Sequence, residues 1–187
     1  GGTINISGGG KVIFPSEAIT DAKGNNYTGM VHISAKYLNP NDRELGNIMP
    51  GGLIADALNG NTVVLGTLGM IAIELRDLNG NELQLKTGKK AILEFPVNTT
   101  YKPSEIALWS FDENKGRWKE EGKAFLQGDK YVGEVSHFSF WNCDAPFPLV
   151  EVCGKVVYTD GTAAANIGIK VTVEGLGYRK STRLNSS

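Results

Sequence analysis

Period-two alternation of apolar and polar residues recurs along this chain, and it limits the possible folds more than any other feature. In Met30–Tyr37, Val31, Ile33, Ala35 and Tyr37 take one face, while Met30, His32, Ser34 and Lys36 take the other. Leu83 and Leu85 alternate with Glu82, Gln84 and Lys86, and Ala91, Leu93, Phe95 and Val97 oppose Lys90 and Glu94. Ile169, Val171 and Val173 alternate with Gly168, Lys170, Thr172 and Glu174. Residues two apart share a face only in an extended chain, so these segments are strands. Strands with one apolar face suit antiparallel sheets that keep one side wet.

The turns agree. With 24 glycines against 7 prolines, the chain is rich in tight turns and poor in long helices. Asp77-Leu78-Asn79-Gly80-Asn81 separates the apolar run Met70–Leu75 from Leu83–Leu85. Its Asn-Gly pair predicts a type I′ hairpin, whose two central residues both need positive φ. Asp21–Asn25, Asp112–Gly116 and Asp160-Gly161 read as further turns. The one helical candidate is Leu53–Leu58, hemmed in by Gly51-Gly52 and Asn59-Gly60. Short strands at spacings of about 8–12 residues predict an all-β protein, an antiparallel β-sandwich.

The expected organisation is a flexible lead-in over 1–10, a β-sandwich module over 11–145 and a short stiff linker over 146–150. A partial second domain then covers 151–178, followed by a tail over 179–187. The boundary rests on Pro146 and Pro148, which follow the last aromatic strand. Two strands and a tail are too few to close a sandwich, so the second domain reads as cut short. Opening on Gly1-Gly2-Thr3, with no Met and no signal peptide, the sequence is expected to be an excerpt of a longer chain.

Charge and composition exclude several function classes. Lys and Arg number 19 against 20 Asp and Glu, a net charge of -1, which argues against a nucleic-acid partner. The longest nearly uncharged apolar stretch, Val63–Ile73, is 11 residues, whereas a spanning helix needs about 20. This fragment is therefore not membrane-spanning. The 2 histidines, His32 and His137, lie far apart and outside any paired-ligand motif, so no metal site is read. The acidic loop at Asp77 lacks both the Gly at the sixth position and the Glu at the twelfth that a calcium loop needs. A bridge between the 2 cysteines, Cys143 and Cys153, would close the Asp144–Val152 loop; two buried thiols are the alternative.

Two aromatic segments stand out. Trp109 and Trp118 flank the Asp112–Gly116 turn, where a cross-strand aromatic pair would lock the hairpin. In Tyr131–Asp144, Val135 and Trp141 fall on one face and Phe138 and Phe140 on the other. That broken parity predicts a strand buried on both sides or interrupted by a bulge. Trp109, Trp118 and Trp141 are either core residues or an exposed platform for carbohydrate or peptide. Ser136, His137 and Asp144 are not read as a triad. Adjacent strand residues point to opposite faces and no nucleophile elbow is present, so no catalytic residue is assigned.

Met49-Pro50-Gly51-Gly52-Leu53, Gly69–Leu75, Leu108–Asp112 with Gly116-Arg117-Trp118, and His137–Asn142, in that order, resemble a β-rich extracellular module of Bacteroidetes-type surface proteins. A weaker similarity, in the paired Trp around Asp…Gly and the later aromatic-Trp, reaches animal extracellular proteins of the cartilage intermediate layer type. From Val152, Gly154–Tyr158, Asp160-Gly161, Ala163, Ala165-Asn166-Ile167 and Val171-Thr172-Val173 are similar to the first half of a carboxypeptidase regulatory-like domain. That resemblance implies the first strands of a second, incomplete Ig/transthyretin-like sandwich. The family's next strand is missing, and Ser181–Ser187 resembles translated sequencing-adapter read-through, a reading under which the tail would be non-native.

The resemblance implies a non-catalytic structural, adhesion or ligand-presenting module of a secreted or cell-surface bacterial protein. Its location would be extracellular or on the bacterial outer surface. The alternative is a carbohydrate-binding module of a polysaccharide-processing protein. Neither reading calls for a cofactor. The expected partners are a protein or glycan ligand and neighbouring domains of the same chain. No enzyme is expected, since the regulatory-like domain is non-catalytic in its family and no His-Glu-x-x-His motif is present.

Overall fold

Alternation becomes burial most plainly in Ala91–Pro96, where Ala91, Leu93 and Phe95 are buried and the residues between them are half-buried. A computed structural model describes residues 1–149, 154–164, 168–172 and 179–183. The chain divides into two compact units, Gly1–Phe147 and Pro148–Ser187.

The first unit is all β apart from one helical turn, α1 (Leu45–Ile48). Its strands are β1 (Gly2–Asn5), β2 (Lys11–Phe14), β3 (Ile19–Asp21), β4 (His32–Leu38), β5 (Ile54–Asp56) and β6 (Thr62–Arg76). They continue with β7 (Glu82–Leu85), β8 (Ala91–Pro96), β9 (Glu105–Asp112), β10 (Arg117–Gln127), β11 (Lys130–Val135) and β12 (Phe140–Pro148). The ladder runs β1-β2-β8-β11-β10-β9-β12-β6-β7-β3, with β4 on β6. β5 pairs antiparallel with β6 and parallel with β10. The architecture is sandwich-like, and β5 closes β10, β9, β12 and β6 into a ring at one end.

Two sets of side chains fill it. Ile106 and Leu108 of β9 join Trp141, Cys143, Ile71, Leu93 and Phe95 in the main core. Trp109 alternates with Leu108, and Asn142 and Asp144 alternate with Cys143, so all three take the opposite face of their strands. The long strand β6 passes from pairing with β5 at Thr62–Val64 to pairing with β4 at Met70–Arg76. Gly69 lies at this crossover with φ +146, and a Cβ there would come within 2.8 Å of the Tyr37 hydroxyl. Both its conformation and its space require glycine.

One loop type recurs in four hairpins of this unit: Ile6–Gly10, Asp21–Asn25, Ala57–Asn61 and Asp77–Asn81. In each, the first N–H donates to the fifth carbonyl and the fourth N–H to the first carbonyl. The fourth residue, Gly9, Gly24, Gly60 or Gly80, has positive φ. Asn79 does not, so the expected type I′ turn is instead a three-residue loop ending in a left-handed glycine. The dipeptide signal is shared by both turns; the Asp two residues before Asn79 selects the longer one by bonding its amides.

Several boundaries also differ from expectation. Residues 1–10 are a paired hairpin, β1 on β2, because Gly8 and Gly9 serve the turn rather than a flexible lead-in. Leu53–Leu58 holds strand β5 in place of a helical turn, since Leu65 N–H donates to Leu53 O and β5 finds partners on both sides. The expected single strand over Tyr131–Asp144 is two, β11 and β12, separated by a bend at Ser136–Ser139. The parity breaks at this bend, and β12 is buried on both sides as expected, with Trp141, Asn142, Cys143 and Asp144 all in the interior. Pro146–Pro148, expected as linker, extends β12.

In the second unit, Gly154–Tyr158 contributes only a bridge, Val157 to Ala163, around a Tyr158–Thr162 loop of the same recurring type. Strands β13 (Gly168–Thr172) and β14 (Arg179–Arg183) pair antiparallel, so part of the expected tail is strand. Cys153 lies outside the described residues, and with it the Cys143–Cys153 bridge. Cys143 is a buried free thiol, which burial pushes well above its ordinary pKa. No helix among the described residues is long and apolar enough to cross a membrane.

Candidate functional site

The three indoles are the first test of a binding surface. Trp109 and Trp118 are 0% exposed and Trp141 is 2% exposed. Each Nε1–H donates to a backbone carbonyl: Trp109 to Asp144 at 3.1 Å, Trp118 to Gly52 at 2.9 Å and Trp141 to His137 at 3.0 Å. Of the two roles open to them, they fill the core one. Trp109 and Trp118 are not opposite each other across the hairpin. Asp112 pairs with Arg117, which sets Trp118 against Phe111, ring centroids 5.2 Å apart edge to face, and Trp109 against Glu120.

Ser136, His137 and Asp144 are not brought together. His137 Nε2 lies 2.9 Å from Glu121 Oε2, and its ring packs on Trp141 at 4.9 Å. Burial pushes the Glu121 carboxyl up, but hydrogen bonds with Lys119 and His137 outweigh it and hold the group below its ordinary value. Asp144 is elsewhere and fully buried. Among the described residues, no group of three or more His, Cys, Asp or Glu side chains gathers as a metal site would require.

The most concentrated buried polar chemistry lies at the seam between β12 and β6. Asp144 Oδ1 accepts the Leu68 N–H at 3.0 Å, within the crossover stretch of β6. Thr67 Oγ1 donates to Asn142 Oδ1 at 3.1 Å. Asn142 and Asp144 are both 0% exposed, and Asn142 Nδ2 and Asp144 Oδ2 have no hydrogen-bond partner among the described residues. Desolvation pushes the Asp144 carboxyl well above the ordinary carboxylate range, and the Leu68 N–H, Thr67 and Asn142 only partly oppose it. The group therefore holds its proton to higher pH than an exposed carboxyl does. Thr67 and Asn142 were not singled out in the sequence. The signal that would have found them is two polar residues, Asn142 and Asp144, on one face of a strand whose other residues include Trp141 and Cys143.

A second feature is a groove of about 900 Å³ on the β4–β6 face, lined by Ile33, Lys36, Glu74, Gln84, Phe138 and Phe140 among others. Within its lining, Gln84 donates from Nε2 to Phe138 O and accepts the Phe138 N–H at Oε1, both at 2.9 Å. Arg76 is tied to Glu74 and donates to Gly80 O at 2.7 Å. The groove is open and of mixed charge, and it holds neither a nucleophile beside a base nor paired buried carboxylates.

No family model matches the chain, and no solved structure does. The chain is similar to cartilage intermediate layer proteins. It is 29% identical to human cartilage intermediate layer protein 2 over 115 residues, 60% of this chain and 10% of that protein. It is 30% identical to pig cartilage intermediate layer protein 1 over 156 residues, 73% of this chain and 25% of that protein. For mouse cartilage intermediate layer protein 1 the figures are 31% over 151 residues, 71% of this chain and 12% of that protein. The chain thus spans between a tenth and a quarter of the length of these relatives.

Proposed function

We propose that this chain is a non-catalytic structural module of a secreted or cell-surface protein, one that spaces neighbouring domains or presents a ligand-contacting face. The observation that carries the reading is where the chemistry-bearing side chains go. The three indole N–H groups bind backbone carbonyls, Asp144 binds the Leu68 amide of a neighbouring strand, and His137 faces Glu121. Groups of the kind that serve a substrate in other proteins here hold strands together. The similarity to proteins named for a layer of cartilage supports a structural role outside the cell. A carbohydrate-binding role rested on exposed indoles, and buried rings give it no platform.

The test is acrylamide quenching of tryptophan emission, with a glycan array and a broad hydrolase substrate panel run on the same folded sample. Shielded emission, a blank array and no turnover are expected. Protection of a ring by one glycan would overturn the reading, as would hydrolysis abolished by a point substitution in Gly1–Phe147.

A further inference from the structure

We propose that Thr67 and Asn142 join in an intramolecular ester, Thr67 Oγ1 to Asn142 Cγ, with Asp144 carrying the proton and ammonia leaving. This goes beyond the structural reading above: it is a single self-modification of the folded chain, with no turnover.

Three observations meet at this seam. The hydroxyl of Thr67 on β6 donates to the carboxamide oxygen of Asn142 on β12 at 3.1 Å, so the nucleophile already bonds the group it would attack, across two strands 75 residues apart in sequence. Turning the carboxamide about its Cβ–Cγ bond leaves Cγ in place and turns the face of the carbonyl toward the hydroxyl oxygen. The Asn142 nitrogen is buried without a hydrogen-bond partner among the described residues, so its departure breaks no hydrogen bond there. Asp144 Oδ2 is likewise buried and unpartnered, while Oδ1 is fixed by the Leu68 N–H. In its protonated form, which burial favours, the group has a proton to give and an oxygen free to give it from.

The step balances. Thr67 Oγ1 attacks Asn142 Cγ and forms the C–O bond; the C–N bond breaks, and the Asp144 acid proton passes to the departing nitrogen. The Thr67 hydroxyl proton goes to the Asp144 carboxylate, which restores the acid, and the nitrogen leaves as ammonia. No oxidant or reductant is required. Full burial of Asn142 and Asp144 excludes the water that would otherwise take the carbonyl and leave an aspartate at 142. Loss of ammonia also removes an orphaned amide from the interior, a group that is unfavourable while buried. The product ties β6 to β12 covalently within the closed ring of strands.

Intact mass spectrometry of the purified full chain tests this directly. The expected mass is that of the sequence less one ammonia, and trypsin should release the segment 44–76, which holds Thr67, joined to 131–155, which holds Asn142. Thr67→Val should return the full mass, and Thr67→Ser, which keeps the hydroxyl, should again lose ammonia. Asp144→Asn, close to isosteric but without the acid proton, should retain the full mass. An unmodified mass in the wild-type chain would overturn the proposal. So would an ammonia loss that survives Thr67→Val, since that marks a succinimide formed by Asn142 alone, or conversion of Asn142 to aspartate without joined peptides. Joined peptides in Asp144→Asn would remove Asp144 from the step and overturn the mechanism as stated.

Discussion

Asp77 and Asp144 belong to two kinds of junction, and the same side chain behaves in opposite ways in them. In the β6–β7 loop, Asp77 Oδ1 accepts the N–H groups of Asn79 and Asn81, each at 2.8 Å, and Oδ2 accepts the Asn81 side-chain amide at 2.8 Å. Bonds from Asn81, foremost its side chain, hold that solvent-facing carboxyl below its ordinary value. At the β12–β6 seam, Asp144 has one amide donor, Leu68, 76 residues away, and burial pushes it up. A ring of donors favours the charged form of a carboxyl, whereas an interior site beside a single amide favours the protonated form. The loop is thus held by a carboxyl whose charge is favoured and faces water, and the seam by one whose charge is opposed by burial.

The sharpest way to break the seam is Trp109→Ala. It removes a fully buried ring and leaves the Asp144 carbonyl without its indole donor. A loss of about 3–5 kcal/mol is expected, read as a lowered midpoint in urea. A loss below about 1 kcal/mol would mean that the ring does not support the strands around it. Next in size is Asp144→Ala, which orphans the Leu68 N–H and should cost about 1–3 kcal/mol. Asp144→Asn keeps an acceptor for that N–H and should cost less than Ala in the same melt. The wild-type acid also has a pH signature. Its folded pKa is raised above the unfolded value of about 3.9, so the folded state holds the proton after the unfolded state has lost it. Stability should therefore decline as pH rises above about 4 and keep declining until the folded group ionises. In Asp144→Asn that decline should be absent, and an unchanged profile would show that the group is already charged in the fold.

The same contrast explains what was legible in the sequence. Strand alternation was readable because burial repeats every second residue, as Ala91, Leu93 and Phe95 do within one strand. The hairpins were readable because their determinants lie within five residues, although Asn-Gly alone did not tell a type I′ turn from the longer loop that Asp77 selects. The core role of the indoles was one of two open readings, because a Trp reads alike at an exposed platform and at a buried site until the partner carbonyl is known. Least legible was the seam. Nothing near Thr67 indicates that it meets Asn142, since that contact exists only because β6 leaves β5 for β4 beside β12. β5 was missed for the same reason: three residues become a strand only through partners on both sides.

The loop half of the comparison predicts smaller effects. Gly80 sits at φ +84 in open space, so Gly80→Ala meets no neighbour and pays only for the left-handed backbone, about 1–2 kcal/mol. Gly80→Asn, which tolerates that region, should lose less in the same thermal melt. Equal stability of Gly and Ala at this position would show that the loop adopts another turn in solution. The smallest effect is at Asp77, where water screens the charge. Its folded pKa is lowered, so its contribution is present above the unfolded value of about 3.9 and disappears as pH falls through the folded value. Asp77→Asn should therefore flatten the acid limb of a stability profile, the limb on which Asp144 acts least. With Asp144→Asn flattening the limb above about 4, the two variants should differ in sign and in pH range, and the double variant should sum them because the sites share no partners. A profile in which both substitutions change the same limb would mean that the two carboxyls do not differ in protonation as their surroundings require.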